Sequence, residues 1–480
     1  MALGTRRAKT AACIQITIER NTYMPDCINQ NPVAVGLDIG TTTISLVVID
    51  AQTGRICACS NIPGGTAVTE NLHPARRCQS AQSILEKVGG LLDGVKADYA
   101  NIAAIGLTGQ MHGIVYVNAQ GKPVSDLYTW QDGSGEAPLV DGTTALSRLQ
   151  PHCRTKLATG YGAVTHAYLT YTDALPADAV KFCTIMDCVG LMLTGRTAPL
   201  THATNAASFG FYNLAENAFD RAAITGAGLD ASFFPDCTAD AACLGHWQGV
   251  PVYVAIGDNQ ASFRGSVREP ERSVLVNIGT GSQISVLRPL ADAGKYDCDV
   301  RPYDAAHVLA NYSALCGGYA YALLESFVRG ILTAAGMEDK PCYDLLGQLA
   351  AQALDADDPW CVQTTFSGTR AEPEKTASFT GIRRDNFTPA YLARGVLDGI
   401  TDELYNGLAR VLADCGELAL VGSGNAVRKN AVLRTILERR FRQTLLVPAH
   451  MEEAATGCAL FALQAQCPGI DTGAFLRYEG

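Results

Sequence analysis

No stretch of this 480-residue sequence holds the roughly 18 consecutive apolar residues of a membrane-crossing helix, so a spanning segment is not expected. Clusters of basic residues are equally scarce. With a net charge of −10 and no Lys/Arg run long enough to follow a phosphate backbone, a nucleic-acid partner is not expected either. Three signatures are missing. The absence of G-x-G-x-x-G after a strand and of G-x-x-x-x-G-K-[ST] disfavours a dinucleotide fold and a P-loop. The absence of a G-x-S-x-G elbow does the same for an acyl-transfer α/β enzyme. Zinc-like paired cysteine spacings are missing too, although there are 17 cysteines, an odd number, with Cys57 and Cys59 the nearest pair. They read as reduced core residues of a cytoplasmic protein.

What is present is enough apolar material, 48% of the sequence, for two or three cores. Residues 1–31 do not resemble the rest of the chain. Arg6, Arg7 and Lys9 precede a polar-interrupted run too weak for a secretory leader, and Met24 is an alternative start. This N-terminal extension receives no function.

The organising stretch is Val33 to Asp50, VAVGLDIGTTTISLVVID. Two apolar runs of strand length flank a tip with one carboxylate, one glycine and three hydroxyls, which reads as a hairpin. Gly40 lets backbone approach a ligand. Thr41, Thr42 and Thr43 bring donors that a phosphate accepts, and Asp38 suits a metal ion or its water. The same residues also suit a plain hairpin with a polar turn. A second copy favours the first reading. In VLVNIGTGSQISV, Asn277-Ile278-Gly279-Thr280 repeats Asp38-Ile39-Gly40-Thr41 at an offset of 239 residues, with Gly281-Ser282 replacing Thr42-Thr43. One such tip per half implies two related lobes that share one polyphosphate, with the charge on the metal side in the first lobe.

Ser80 to Leu92 has helical spacing, and Ile102 to Leu107 is a short buried strand running into Thr108-Gly109-Gln110-Met111-His112-Gly113. Ligands of open α/β sheets lie at such strand ends. Gln110 and His112 can bond hydroxyls, or serve as structural residues. In Tyr128-Thr129-Trp130-Gln131-Asp132-Gly133 the indole offers a face to the C–H side of a sugar and Asp132 an acceptor; a turn with a half-buried Trp is the alternative. Residues 159–170 put a glycine-rich turn before an apolar stretch, and 201–210 form a polar small-residue loop.

Residues 251–258, PVYVAIGD, read as a buried strand delivering Asp258 to the start of a helix. Asp258 is either an N-cap or a base that accepts a proton late in a loose phosphoryl transfer. In the second half, residues 312–328 read as helical, 366–373 as a loop exposing Arg370, and Thr388-Pro389 as the cap and first turn of a long helix. A strand at 418–421 leads into Gly422-Ser423-Gly424-Asn425. A last strand comes at 445–447, and then a helix over 452–463 with small residues for close packing.

Taken in order from about residue 33 to residue 463, these motifs resemble the FGGY family of carbohydrate kinases. Asp38-Ile39-Gly40-Thr41-Thr42 and Asn277-Ile278-Gly279-Thr280-Gly281 look like its phosphate loops. Gly257-Asp258-Asn259-Gln260 looks like its base, and Gly422-Ser423-Gly424-Asn425 like its adenosine loop. The stretch 109–113 is shared with xylulose-phosphorylating members. Residues 129–133, 158–162, 205–208 and 422–426 look more like sedoheptulose-phosphorylating ones. Ser134 departs from the pattern, which has Arg there, and puts one sugar or lid contact in doubt.

The resemblance implies an α/β fold of two actin-like ATPase (ribonuclease H-like) lobes with a cleft between them. The lobes would span 32–267 (sugar and catalytic base) and 268–480 (nucleotide). It implies ATP-dependent phosphorylation of a ketose at its terminal primary hydroxyl, with Asp258 as base. Gln110, Met111, His112, Trp130, Asp132 and Asn259 would bind the substrate. Gly40, Thr41, Thr42, Thr43, Gly279, Thr280, Gly281, Gly422, Ser423, Gly424 and Asn425 would bind ATP, and Asp38 would face Mg²⁺. Sugar and ATP are the expected partners, and a homodimer is left open. Xylulose phosphorylation and a non-catalytic actin-like nucleotide-binding protein are the alternatives.

Overall fold

The computed structural model describes residues 31–69, 73–369, 372–412 and 418–479. The N-terminal extension, apart from Asn31, and Arg370 lie outside them.

The organising hairpin forms as expected. Strands β1 (Val33–Ile39) and β2 (Thr43–Asp50) pair antiparallel from Val33↔Asp50 to Ile39↔Ile44. Strand β3 (Ile56–Pro63) continues beside β2. On the other side of β1 lie β4 (Ile102–Gly109), β6 (Val250–Tyr253) and, at the edge, β5 (Cys243–Trp247). β1, β4 and β6 run parallel. The apolar runs are continuous because both faces are covered. Val33, Val35, Leu37 and Ile39 pack with helix α1 (Ala81–Asp98), whose N-cap is Ser80, and with α2 (Ile185–Thr194). Ala34 faces the opposite way.

The second sheet repeats the plan. β7 (Ser273–Ile278) and β8 (Ser282–Pro289) form the second hairpin. β10 (His307–Ala314) and the edge strand β9 (Asp299–Pro302) continue antiparallel beside β8. β11 (Ala419–Ser423) and β12 (Leu445–Leu446) run parallel beyond β7. The orders β3-β2-β1-β4-β6 and β10-β8-β7-β11-β12 therefore match in position and sense. Residues 312–328 differ from expectation. Tyr312 to Ala314 finish β10, whose hydrogen bonds to β8 outweigh local helical spacing, and helix α4 starts only at Gly318 (Gly318–Ala334). The capped helix forms as read, as α5 (Pro389–Val411) with Thr388 as N-cap, and covers the face carrying Val274, Val276 and Ile278.

Two helices separate the sheets. α3 (Asp258–Ser266) lies on the second sheet, with Phe263 among Leu275, Leu287, Leu309 and Val421. The final helix, α6 (Glu453–Gln466), lies on the first, with Ala455, Ala459 and Leu463 against Ala34, Val47 and Ile49. The helix over 452–463 packs closely through its own small residues, Gly457 among them, and through Gly36 of β1. A Cβ on Gly36 would lie 1.8 Å from the Ala455 carbonyl oxygen, and one on Gly457 1.8 Å from that of Ala261. A third core, rich in Phe182, Phe209, Phe219 and Phe234, fills the long excursion between β4 and β5. Among the described residues no disulfide joins two cysteines.

Candidate active site

Alternation along β1 places Asp38 on the same face as Ala34 and Gly36, over the start of α6. Asp258 reaches the same end by another route. β6 stops at Tyr253, and 254–257 continue as buried irregular backbone. Thr108 Oγ1 donates to the Ile256 carbonyl at 2.8 Å, and Asn205 Nδ2 to that of Ala255 at 2.9 Å. The Gly257 N–H donates to Thr204 Oγ1 at 2.9 Å. Gly257 is then the N-cap and Asp258 the first helical residue, so Asp258 is not the cap. One of its oxygens accepts the Asn259 N–H at 2.7 Å.

The two carboxylates feel each other. Burial raises the Asp38 carboxyl to about 7, with the charges of Asp258 and Glu452 adding to the effect. Burial raises Asp258 to about 6, against the Asn259 amide and the Arg301 guanidinium, which lower it. Such a pair near neutrality is the environment in which a carboxylate can take up a proton during a reaction. Among the described residues, no group of three or more His, Cys, Asp or Glu side chains forms a ready metal cage. Asp38, crowded by carboxylates, nevertheless fits a hard dication that keeps most of its waters and contacts few protein ligands.

Beside the first tip a ring of side chains closes. Trp130 Nε1 donates to Thr41 Oγ1 at 3.0 Å, and Thr41 Oγ1 donates to Gln110 Oε1 at 3.2 Å. Gln110 Nε2 donates to Gln79 Oε1 at 3.0 Å, and Gln79 Nε2 to the Thr41 carbonyl at 2.8 Å. The Thr41 hydroxyl thus belongs to the side of Trp130 and Gln110, whereas Thr42 and Thr43 are exposed. Trp130 keeps 48% of its surface accessible. His112 has φ 72°, stacks on Tyr161 at 4.5 Å, and its Nδ1 is 2.9 Å from the Ser208 carbonyl. Met111 is buried against Gly257.

Two candidates stand differently from expectation. Asp132 is fully buried, and its oxygens are already engaged by the Arg77 and Ser134 N–H groups, the Ser134 hydroxyl and, at 3.8 Å, the Arg76 guanidinium. Its place within a tight turn leaves no open acceptor for a sugar hydroxyl. Arg76, held over Tyr128 and Tyr168, supplies the cation beside Asp132 that position 134 lacks. Asn259 Oδ1 accepts from Gln283 Nε2 at 2.9 Å, which ties it to the second sheet.

At the second tip the backbone is open. A Cβ on Gly279 would meet nothing within 4 Å, and the Gly318 N–H at the start of α4 donates to the Gly279 carbonyl at 2.8 Å. Gly424, at φ +88°, crosses under Ile278 so closely that a Cβ would lie 2.5 Å from its carbonyl oxygen. Thr280 and Asn425 are exposed, and among the described residues the buried Ser282 and Ser423 hydroxyls have no protein partner. Glycine backbone and unpartnered hydroxyls are what a polyphosphate and its nucleoside need. A cavity of about 460 Å³ opens among Tyr312, Thr364, Glu403 and Arg410 and reaches Asp299 and Asn311, and none of the tip residues lines it.

Gln79 and Arg301 carry this arrangement although no motif includes them, and Thr204, Ser208 and Gln283 lie in stretches the sequence singles out without being read as site residues themselves.

Residues 33–265 match the N-terminal domain of the FGGY family of carbohydrate kinases. The chain is 28% identical over 475 residues to sedoheptulokinase of Mus musculus, covering 90% of this chain and 98% of the relative. Identity to the Homo sapiens sedoheptulokinase is 26%, with the same coverage. The crystal structure of gluconate kinase from Lactobacillus acidophilus superposes with a TM-score of 0.78 at 18% identity, over 94% of this chain and 93% of that one, which shows a common fold. With its duplicated sheets around a shared helix pair, the chain carries the N-terminal domain of the FGGY family of carbohydrate kinases over residues 33–265.

Proposed function

We propose that the protein transfers the γ-phosphoryl group of ATP to the terminal primary hydroxyl of a ketose, sedoheptulose giving sedoheptulose 7-phosphate. The observation that carries this reading is the convergence of Asp38 from the end of β1 and Asp258 from the start of α3, each with its carboxyl raised toward neutrality. Asp258 is the base and accepts the hydroxyl proton as transfer proceeds. Its carboxylate also orients that hydroxyl for in-line attack. Trp130, Gln110 and His112 form the sugar side, and Met111 backs the Asp258 turn. Asp132 and Asn259 act by holding the Trp130 turn and the lobe contact, in keeping with their engaged side chains.

Gly40, Thr42, Thr43, Gly279, Thr280 and Gly281 hold the phosphates, and Gly422 to Asn425 border the nucleoside. Thr41 belongs to both sides, through its backbone and its hydroxyl. Asp38 would hold Mg²⁺ through water, and the ion supplies charge neutralisation for the phosphates. Two lobes of residues 32–267 and 268–480 would close on the substrates and exclude water as a competing acceptor. The absence of disulfides among the described cysteines fits a reducing, cytoplasmic setting.

The test is ADP release measured with sedoheptulose, xylulose, ribulose and glycerol. The expected order of kcat/KM puts sedoheptulose first. Xylulose in first place would move the substrate to the shorter ketose. No release with any sugar would favour a non-catalytic nucleotide-binding protein.

A further inference from the structure

The residue that none of the motifs includes, and that faces the same cleft end, is Arg301. It lies on β9, at the outer edge of the second sheet. Arg301 is the register partner of Leu309, and directly opposed residues of an antiparallel pair share a face. Leu309 packs with Phe263 of α3, so Arg301 is on the α3 side. Two residues on, Tyr303 lies 5.9 Å from the Phe263 ring and 5.0 Å from the Arg264 guanidinium, near the C-terminal end of α3. Arg301 therefore faces the N-terminal end, where Asp258 stands. Gln260 Nε2 pins this strand to the helix by donating to the Pro302 carbonyl at 2.8 Å.

The Arg301 side chain is only 15% exposed, and its Nε donates to Asp299 Oδ2 at 2.8 Å. Among the described residues its terminal amino groups have no protein acceptor. Burial works against its charge, but Asp299, Tyr161 and Asp258 hold it. Tyr161 is the ring stacked on His112, so Arg301 bears on both ends of the proposed sugar site.

We propose that Arg301 is a specificity-determining residue. It is contributed by the second lobe, and its free amino groups donate to vicinal hydroxyls of an uncharged ketose next to the one that reacts. Charge balance decides the substrate class. The guanidinium is paired with the Asp299 carboxylate and also feels the charge of Asp258, so no net positive charge is left for a sugar acid or a sugar phosphate. A planar fork of donors still suits a diol, whereas a lysine offers a single point of contact. The second lobe must be in place for this contact, so sugar recognition depends on lobe closure. The inference rests on the kinase reading above.

The experiment compares Arg301→Met, Arg301→Lys and Asp299→Asn with wild type in the ADP-release assay. The substrates are sedoheptulose, xylulose and gluconate, and ADP release without sugar is also measured. Arg301→Met should lower kcat/KM for the ketose about 100-fold while the ATP KM and the sugar-independent rate stay within threefold. Arg301→Lys should recover at most a tenth of the wild-type value, because charge without the fork is not enough. Asp299→Asn should lower the ketose kcat/KM less than Arg301→Met does, because the fork remains and only its anchor is lost, and wild type should leave gluconate unphosphorylated. Ketose kcat/KM within threefold of wild type in Arg301→Met overturns the proposal while the kinase reading stands. So does an equal rise in the ATP KM, or gluconate as the better substrate. Wild type that releases ADP with none of the sugars overturns the kinase reading and this inference with it.

Discussion

The two hairpin tips share a backbone plan and differ in charge. In each lobe the chain leaving the next parallel strand crosses beneath the tip at a glycine. A Cβ on Gly109 would lie 2.4 Å from the Ile39 carbonyl oxygen, and one on Gly424 2.5 Å from that of Ile278. Asp38 and Asn277 occupy matching places, paired in register with Thr108 and Ser423. Yet the Asp38 carboxyl is raised to about 7 beside Asp258, whereas Asn277 carries no charge at all. After Gly109 the chain runs on into Gln110, Met111 and His112; after Gly424 it enters the short helix Asn425–Lys429. A duplicated scaffold thus offers a close backbone turn twice and titratable chemistry once. The lesson is that backbone cradles and acid–base groups are independent requirements, and only the first is symmetric here.

The sharpest way to break that comparison is to remove the chemistry and keep the scaffold. Asp258→Asn should lower kcat by about 10²–10⁴-fold with little change in either KM. Wild-type kcat in this variant would remove Asp258 from the mechanism. Next come the crossing glycines. Gly424→Ala forces a Cβ into the second tip, a strain of order 1–3 kcal/mol, and should raise the ATP KM about tenfold or more with less effect on the sugar. Gly109→Ala should do the reverse. If both variants weaken both substrates equally, the division of labour between the tips fails. Trp130→Ala should then raise the sugar KM about tenfold, through lost stacking and the lost Thr41 bond, and leave the ATP KM alone. A parallel shift in both would move the sugar elsewhere.

The smallest expected effect is in pH dependence. Below about pH 6 kcat/KM should fall tenfold per unit as Asp258 takes up its proton. Stability runs the other way. Carboxyls raised in the folded state stabilise it fully only below their ordinary value of 3.8, and that contribution is gone above about pH 7 for Asp38 and pH 6 for Asp258. Melting of the protein without nucleotide, tracked from pH 5 to 8, should therefore show a fall that Asp38→Asn flattens. An Asn277→Asp variant would introduce a second such slope if the second tip is as closed as the first.

Much of this is legible because it is local. The hairpin of residues 33–50 and its repeat at 274–286 are fixed by apolar runs broken at a glycine, and Thr388-Pro389 by cap and first-turn chemistry. Tyr312 reads as helical in the sequence, and wrongly so, because a strand's partner lies outside the window that periodicity can see. Asp132 reads as an open acceptor, again wrongly, because its buried turn is closed by Arg76 and Arg77, more than fifty residues earlier. Gln79 and Arg301 are invisible in the sequence for the same reason.

The sequence alone thus determined the two glycine tips, the strands that flank them and the presence of Asp38 and Asp258, since neighbouring residues suffice to form a turn or a strand. Tertiary structure decided which side chains remain available. Only folding brings Asp258 under the influence of burial and Arg301, buries Asp132 in its turn and sets β9 against the helix of the other lobe. Desolvation and charge pairing act through space between segments far apart in the chain, and no local pattern encodes them.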